Sequence, residues 1–225
     1  MKAFIATAAR GPARLLLAGT LALTPLPFAA LPGTSSTCPA PAPSPSCIQT
    51  TEAIRVLIET DVGAIEVELD ARRAPATVAN FLRYVDAGRY DGGSFHRAVR
   101  LDNQVRDDVL VEVIQGGGNP SFRRQQFAPI PLERTRDTGL LHVDGTLSMA
   151  RSAGTDTARS DFFICIGDQP SLDYDGARSA DRQGFAAFGR VLRGMDVVRR
   201  IQQSPTGNGE SLTPPITITR VSRID

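Results

Sequence analysis

Three side chains capable of chemistry lie in separate apolar runs: Arg97 in Phe95-His96-Arg97, Gln115 in Val113-Ile114-Gln115-Gly116-Gly117, and Phe163 in Asp161-Phe162-Phe163-Ile164-Cys165. An arginine keeps its charge at any working pH, a glutamine amide both donates and accepts, and a phenylalanine ring offers an apolar platform. Together they suit a reaction that needs neither nucleophile nor metal: rotation about an X–Pro peptide bond. That bond resists rotation because partial double-bond character sets a barrier of about 18 to 20 kcal/mol. A fixed guanidinium can hydrogen-bond the prolyl nitrogen once its lone pair leaves conjugation. The contact is absent from the planar ground state, and such a difference is catalytic. One charge-assisted bond is worth roughly 1.5 to 3 kcal/mol, so a dry proline pocket and a donor to the neighbouring carbonyl must act beside it.

Other chemistries lack their parts. The chain has no Gly-x-Ser-x-Gly elbow, no His-Glu-x-x-His helix, no Cys-x-x-Cys pair and no Walker-type phosphate loop. His96 and His142 are its only histidines, so a multi-histidine metal site is not expected. Asp173-Tyr174-Asp175-Gly176 is close to a calcium loop, but its Gly comes too early and no Glu closes it, so it reads as a solvated turn. Neither metal nor cofactor is expected. The formal net charge of +1 gives no reason to expect a nucleic-acid partner. Lys2 is the only lysine, so arginine is the general cation of this chain and Arg97 has to be argued from its surroundings. Cys165, within an apolar run, reads as a buried thiol.

Strand periodicity makes a first placement of the candidates. Strict alternation puts Phe95, Arg97 and Val99 on one face and His96 on the other, which makes His96 a satisfied core histidine rather than a pocket residue. Val113 and Gln115 share a face of the next strand, an apolar contact beside an amide.

The elements that must carry these residues are mostly strands. Strand-like runs are expected at 54–59, 64–69, 94–99, 109–115, 146–150, 162–166, 185–191 and 216–221, the first two joined through Asp61-Val62-Gly63 as a hairpin. Eight short strands suggest a sandwich or barrel. A first helix begins at Pro75, repeats Val78, Phe81, Leu82 and Val85, and stops at Gly88. A second carries Met195, Val198 and Ile201 and ends at Ser204-Pro205. Both apolar stripes read as core. Hydrophobic residues make up 41% of the chain, enough for a sizeable core.

Upstream of residue 53 the composition changes. Lys2, Arg10 and Arg14 precede an apolar stretch at 15–31 that Pro25 and Pro27 interrupt, so 1–31 is expected to be an export signal and no stable membrane span is expected. Residues 32–52 are dense in Pro, Ser, Thr and Ala and read as an extended linker, leaving 53–225 as the folded domain. Cys38 and Cys47 lie in that linker and would be expected to oxidise in a periplasmic or extracellular setting.

The three chemical segments, with Leu147-Ser148-Met149-Ala150-Arg151 and Phe185-Ala186-Ala187-Phe188-Gly189-Arg190-Val191, resemble in order the signature of the cyclophilin peptidyl-prolyl isomerases. Ala74-Pro75-Ala76-Thr77-Val78-Ala79-Asn80-Phe81 and Gly194-Met195-Asp196-Val197-Val198 match as well. The resemblance implies a mainly β protein, a closed eight-stranded antiparallel barrel capped by two α-helices, acting on proline-containing polypeptides without a cofactor. It places Arg97 at the catalytic arginine and Gln115 at the glutamine that holds the substrate backbone. Phe163 and Leu172 fall at walls of the proline pocket, with Val113, Phe185, Ala150 and Asp161 at further substrate-binding positions.

Three residues depart from the family pattern. Glu112 falls where a pocket phenylalanine is common, Asp161 where a substrate-binding glutamine is usual, and Ser171 where some members carry a tryptophan. A less apolar, more acidic pocket follows, in which a carboxylate could pair with Arg97, and weak binding of cyclosporin-like ligands is expected. Residues 100–111 add a polar stretch between two strands that the family joins more closely.

The expected function is isomerisation of X–Pro bonds during folding of exported proteins, in the periplasm or outside the cell. The alternative is a proline-segment binding module or chaperone on the same barrel with little catalysis. A lipocalin-type ligand barrel is a weaker rival, since bulky Phe, Ile and Leu in the strands suit a filled interior. The sequence says nothing about oligomeric state.

Overall fold

Two β-branched strands, β1 (Ile54–Thr60) and β2 (Gly63–Leu69), open the fold as a hairpin in full antiparallel register from Ile54 opposite Leu69 to Thr60 opposite Gly63. Gly63 adopts φ +138°, a backbone state that side chains rarely permit, and the Thr60 hydroxyl donates to its carbonyl at 2.6 Å. The computed structural model describes residues 53–104, 106 and 108–224; the expected export signal, the linker, Cys38 and Cys47 lie outside the described residues.

Six more strands follow: β3 (Gly93–Val99), β4 (Val113–Gly117), β5 (Thr146–Met149), β6 (Phe162–Cys165), β7 (Ala186–Arg193) and β8 (Ser211–Ile224). They close into one antiparallel barrel in the order β1-β2-β7-β5-β6-β4-β3-β8. Closure leaves no unpaired sheet edge. Period-two alternation sends Val56, Ile58, Ile65, Val67, Ile114, Leu147, Phe162, Ile164 and Phe188 inward, all fully buried in one continuous core. The interior is packed with these side chains, which is a poor match for a ligand-holding barrel.

Helix α1 (Pro75–Asp86) starts on Pro75, whose missing N–H costs nothing at a first turn, and its exposed amides are capped from a distance. Glu133 accepts from Ala76 N at 3.0 Å and from Thr77 N at 2.8 Å, a carboxylate at the positive end of the helix dipole. Its buried stripe of Val78, Phe81, Leu82 and Val85 packs over β7 and β8, and the Phe81 ring meets Tyr90, Phe162 and Phe188 with centroids 5.1 to 5.5 Å apart. Helix α3 (Met195–Gln202) packs Val198 and Ile201 against the β2, β3 and β4 side. The four-residue helix α2 (Thr135–Thr138) is too short to leave a periodic signal. No described helix is long and apolar enough to cross a membrane.

Strand β4 begins four residues later than the expected 109–115. Val109 O is taken by the Arg178 side chain and Val111 N by Gln104 Oε1, so the backbone there is bonded to the inserted loop instead of to a ladder.

Candidate active site

The site is built on the outer wall of the barrel, where β3, β4, β6 and β5 lie side by side. Val99, Val113, Phe163 and Cys165 point outward there and form a second, smaller apolar cluster with Val111 and Leu172. Ala150 and Phe185 pack against it from the strand ends. Leu172 lies in a 3-10 turn, Pro170–Leu172, and its carbonyl accepts from Phe185 N at 3.0 Å, which closes the loop over the sheet. The result is a cavity of about 210 Å³ lined by Phe163, Leu172, Val113, Val111, Ala150 and Phe185, with Arg97 and Gln115 on its polar side. The Phe163 ring meets Phe185 edge-on at 5.5 Å and stacks on His142 at 5.9 Å.

Arg97 reaches this cavity because of a bulge that alternation could not foresee. Phe95 pairs with Gly116 and Arg97 with Gln115, so His96 is an extra residue with no partner of its own. That insertion resets the alternation: Phe95 and Ala98 point into the barrel core, while Arg97 and Val99 face outward. The expectation that Phe95, Arg97 and Val99 share a face is therefore corrected. His96 is corrected too, for it is half-buried on the outer wall and lines a separate cavity of about 280 Å³ with Ser94 and Asn119.

The guanidinium is fixed on two sides. Nη1 donates to Gln115 Oε1 at 2.9 Å and Nε donates to Glu210 Oε2 at 2.7 Å, with Nη2 2.5 Å from the same oxygen. Those contacts use three of five N–H donors and leave two for a ligand. Accepting from Arg97 with its carbonyl oxygen leaves the Gln115 amide NH₂ to donate.

The carboxylate on Arg97 is Glu210, from the turn leading into β8, and not a pocket carboxylate from the expected positions. Glu112 turns away from the cavity and accepts from Gln202 Nε2 of α3 at 3.2 Å, while Val111 occupies the pocket wall. Asp161 does not line the proline-sized cavity either. It lies in an adjoining groove of about 260 Å³ that shares Gln115 and Ala150, and its Oδ1 accepts from Ser160 Oγ at 3.1 Å. A Cβ at Gly117 would meet the Asp161 carboxylate, so a larger residue there would push that side chain aside.

A family model described as cyclophilin type peptidyl-prolyl cis-trans isomerase/CLD matches residues 55–223. The chain belongs to the cyclophilins. It is 39% identical over 165 residues to peptidyl-prolyl cis-trans isomerase A of Dickeya dadantii, covering 73% of this chain and 79% of that one. It is 34% identical over 152 residues to peptidyl-prolyl cis-trans isomerase B of Escherichia coli K12, covering 68% and 86%. A crystal structure of a Cryptosporidium parvum cyclophilin shares the fold, with a TM-score of 0.61 at 22% identity over 77% of this chain and 98% of that one.

This cyclophilin carries two further arginines at the site. Arg151 is almost fully buried, donates to Gly184 O at 2.8 Å and to Asp181 Oδ1 at 2.7 Å, and lies over the Phe185 ring at 5.2 Å. It ties the pocket's outer wall to β5. Arg178 enters the cavity lining from the loop between Leu172 and Phe185. Neither Arg178 nor Glu210 lies in an apolar run, so neither had a local signal; their contacts span 113 residues for Glu210 and about 70 for Arg178. Among the described residues no group of three or more His, Cys, Asp or Glu is placed to hold a metal ion.

Proposed function

We propose that this cyclophilin accelerates cis–trans isomerisation of X–Pro bonds in exported polypeptides, with Arg97 as the catalytic residue. The observation that carries the reading is an arginine pinned by Gln115 and Glu210 at the rim of an apolar cavity of proline size, with two N–H donors unspent. The proline ring packs on Phe163 between Val113, Leu172 and Phe185. The Gln115 amide donates to the carbonyl beside proline, and Arg97 donates to the prolyl nitrogen as it becomes pyramidal. Because that nitrogen accepts only when twisted, the bond favours the transition state over either planar isomer. Each 1.4 kcal/mol or so of such preference is tenfold in rate. Ala150 borders both the cavity and the groove holding Asp161, which together give the residues before proline a path across the sheet.

Export belongs to the same proposal and is supported by the basic start and the short apolar stretch at 15–31. Appearance of the chain in a periplasmic or culture-fluid fraction tests it. For the chemistry, exchange NMR on a proline peptide compares the protein with Arg97→Ala. We expect catalysis to fall at least a hundredfold in the variant. Equal rates would remove Arg97 from the mechanism, and binding without turnover in both proteins would favour a proline-segment binding module.

A further inference from the structure

Besides Arg97, the cavity assigned to proline is lined by Arg151, which is paired with Asp181, and by Arg178, a cation that the isomerisation chemistry leaves unused. Arg178 lines it beside Arg97. Its direction is set by neutral acceptors: Nη1 donates to Val109 O at 2.7 Å and to Gln104 Oε1 at 3.3 Å. These bonds orient the charge without cancelling it. The nearby carboxylates among the described residues are committed elsewhere, Glu210 to Arg97 at 2.5 Å and Asp108 to Arg106 at 2.5 Å. Among the described residues, three arginines thus share two carboxylates around one edge of the cavity.

That edge is made by two loops that brace each other. The polar stretch at 100–111 supplies Gln104, Arg106 and Val109, and the loop after Leu172 supplies Ala177 and Arg178. Arg106 donates to Arg178 O at 2.6 Å and to Ala177 O at 3.2 Å, so the loop that orients the Arg178 guanidinium also holds its backbone. Partial burial and the neighbouring Arg97 charge both lower the pKa of Arg178, which means the guanidinium stands where positive charge is disfavoured. An incoming carboxylate would relieve that cost.

We infer that Arg178 is a specificity-determining residue that selects substrates bearing a carboxylate side chain next to the proline. The inference rests on the assignment of this cavity to proline. A half-buried guanidinium with donors that no described residue takes can give a carboxylate a charge-assisted bond of a kind water competes with poorly.

The test uses the full chain and blocked pentapeptides with Glu, Gln or Lys placed either directly before or directly after proline. Binding is read by titration and turnover by exchange NMR at low salt. We expect the Glu peptide to bind about fivefold more tightly than the Gln peptide in one of the two positions, with Lys weakest, and the difference to shrink in high salt. In Arg178→Glu the order should invert, Lys above Gln above Glu. In Arg106→Gln, which removes the loop brace but keeps the Arg178 charge, the order should persist. Inversion in the charge-reversed variant is an outcome that a purely structural Arg178 could not produce. Equal affinity for the three peptides in both positions, with turnover intact, would overturn the inference and leave the isomerase reading standing. A Glu preference without turnover would support the inference while the isomerase reading failed.

Discussion

Arg97 Nη2 lies 2.5 Å from Oε2 of Glu210, a residue 113 positions further along the chain. The contact is stiff on the carboxylate side as well, because Ala98 N donates to the Glu210 carbonyl at 2.8 Å and only 13% of the Glu210 side chain is exposed. Backbone and side chain of Glu210 therefore both grip the strand that carries the guanidinium.

This grip predicts a split between turnover and binding. In Glu210→Gln the ion pair becomes a weaker hydrogen bond from the charged guanidinium to a neutral amide oxygen, and on the proposed mechanism Arg97 spends more time away from the prolyl nitrogen. Phe163 and Gln115 still hold the ground state. We expect kcat to drop about tenfold, equivalent to about 1.4 kcal/mol, while KM stays within about twofold. Exchange NMR over a range of peptide concentrations reads both constants. An unchanged kcat, or a change confined to KM, would show that Glu210 does not position Arg97.

A second relationship supports the floor of the pocket. His142, fully buried, has Nδ1 2.7 Å from Asp173 Oδ1 and Nε2 2.9 Å from Ser148 Oγ, and its ring stacks on Phe163. In the neutral ring with Asp173 accepting from Nδ1, the Ser148 hydroxyl is the donor to Nε2. The order Asp-His-Ser matches a hydrolytic triad, yet Ser148, the cross-strand partner of Phe163, is 0% exposed, so no substrate carbonyl can reach it. Its role is to fix the histidine on which the floor rests. Ser148→Ala leaves a buried ring nitrogen without its donor, at a cost of about 1 to 3 kcal/mol. We expect the urea midpoint to fall with an unchanged slope; a midpoint equal to that of the parent would mean water replaces the hydroxyl.

What could be read from the sequence was what repeats locally. Val78, Phe81, Leu82 and Val85 sit at helical spacing and form the buried stripe of α1, and alternation in 162–165 separates the inward Phe162 from the outward Phe163. The apolar cavity residues came from the resemblance in motif order; Val113 and Phe163 lie in strands, Ala150 and Phe185 at strand ends, and Leu172 in a 3-10 turn. What stayed hidden depends on events that alternation does not encode. One extra residue at His96 reverses the faces of Phe95 and Arg97, and a four-residue delay in β4 moves Glu112 out of the wall and Val111 into it. Glu210 and Arg178 are polar residues in turns. Only closure of the barrel and bracing of the two loops bring them to Arg97, so no window of sequence contains their pairing.

The outer wall of the pocket should be the acid-sensitive part of the molecule. Arg151 holds the Asp181 carboxyl down to a pKa of about 2 through its hydrogen bond, with further help from Gln183 N and the Ser179 side chain. The ordinary value in an unfolded chain is about 3.9. A folded pKa below the unfolded one means the stabilisation is fully present above roughly pH 4 and is lost as pH falls toward about 2. Because Arg151 also bonds Gly184 O and lies over Phe185, the loss should be felt at the proline cavity. Denaturant midpoints of the parent and of Asp181→Asn should differ at pH 6 and converge by about pH 2, and proline-peptide affinity of the parent should weaken over the same window. Other carboxylates titrate there in both proteins, so the difference isolates this one. A gap between the two proteins that persists unchanged at pH 2 would place the stabilising partner of Arg151 elsewhere.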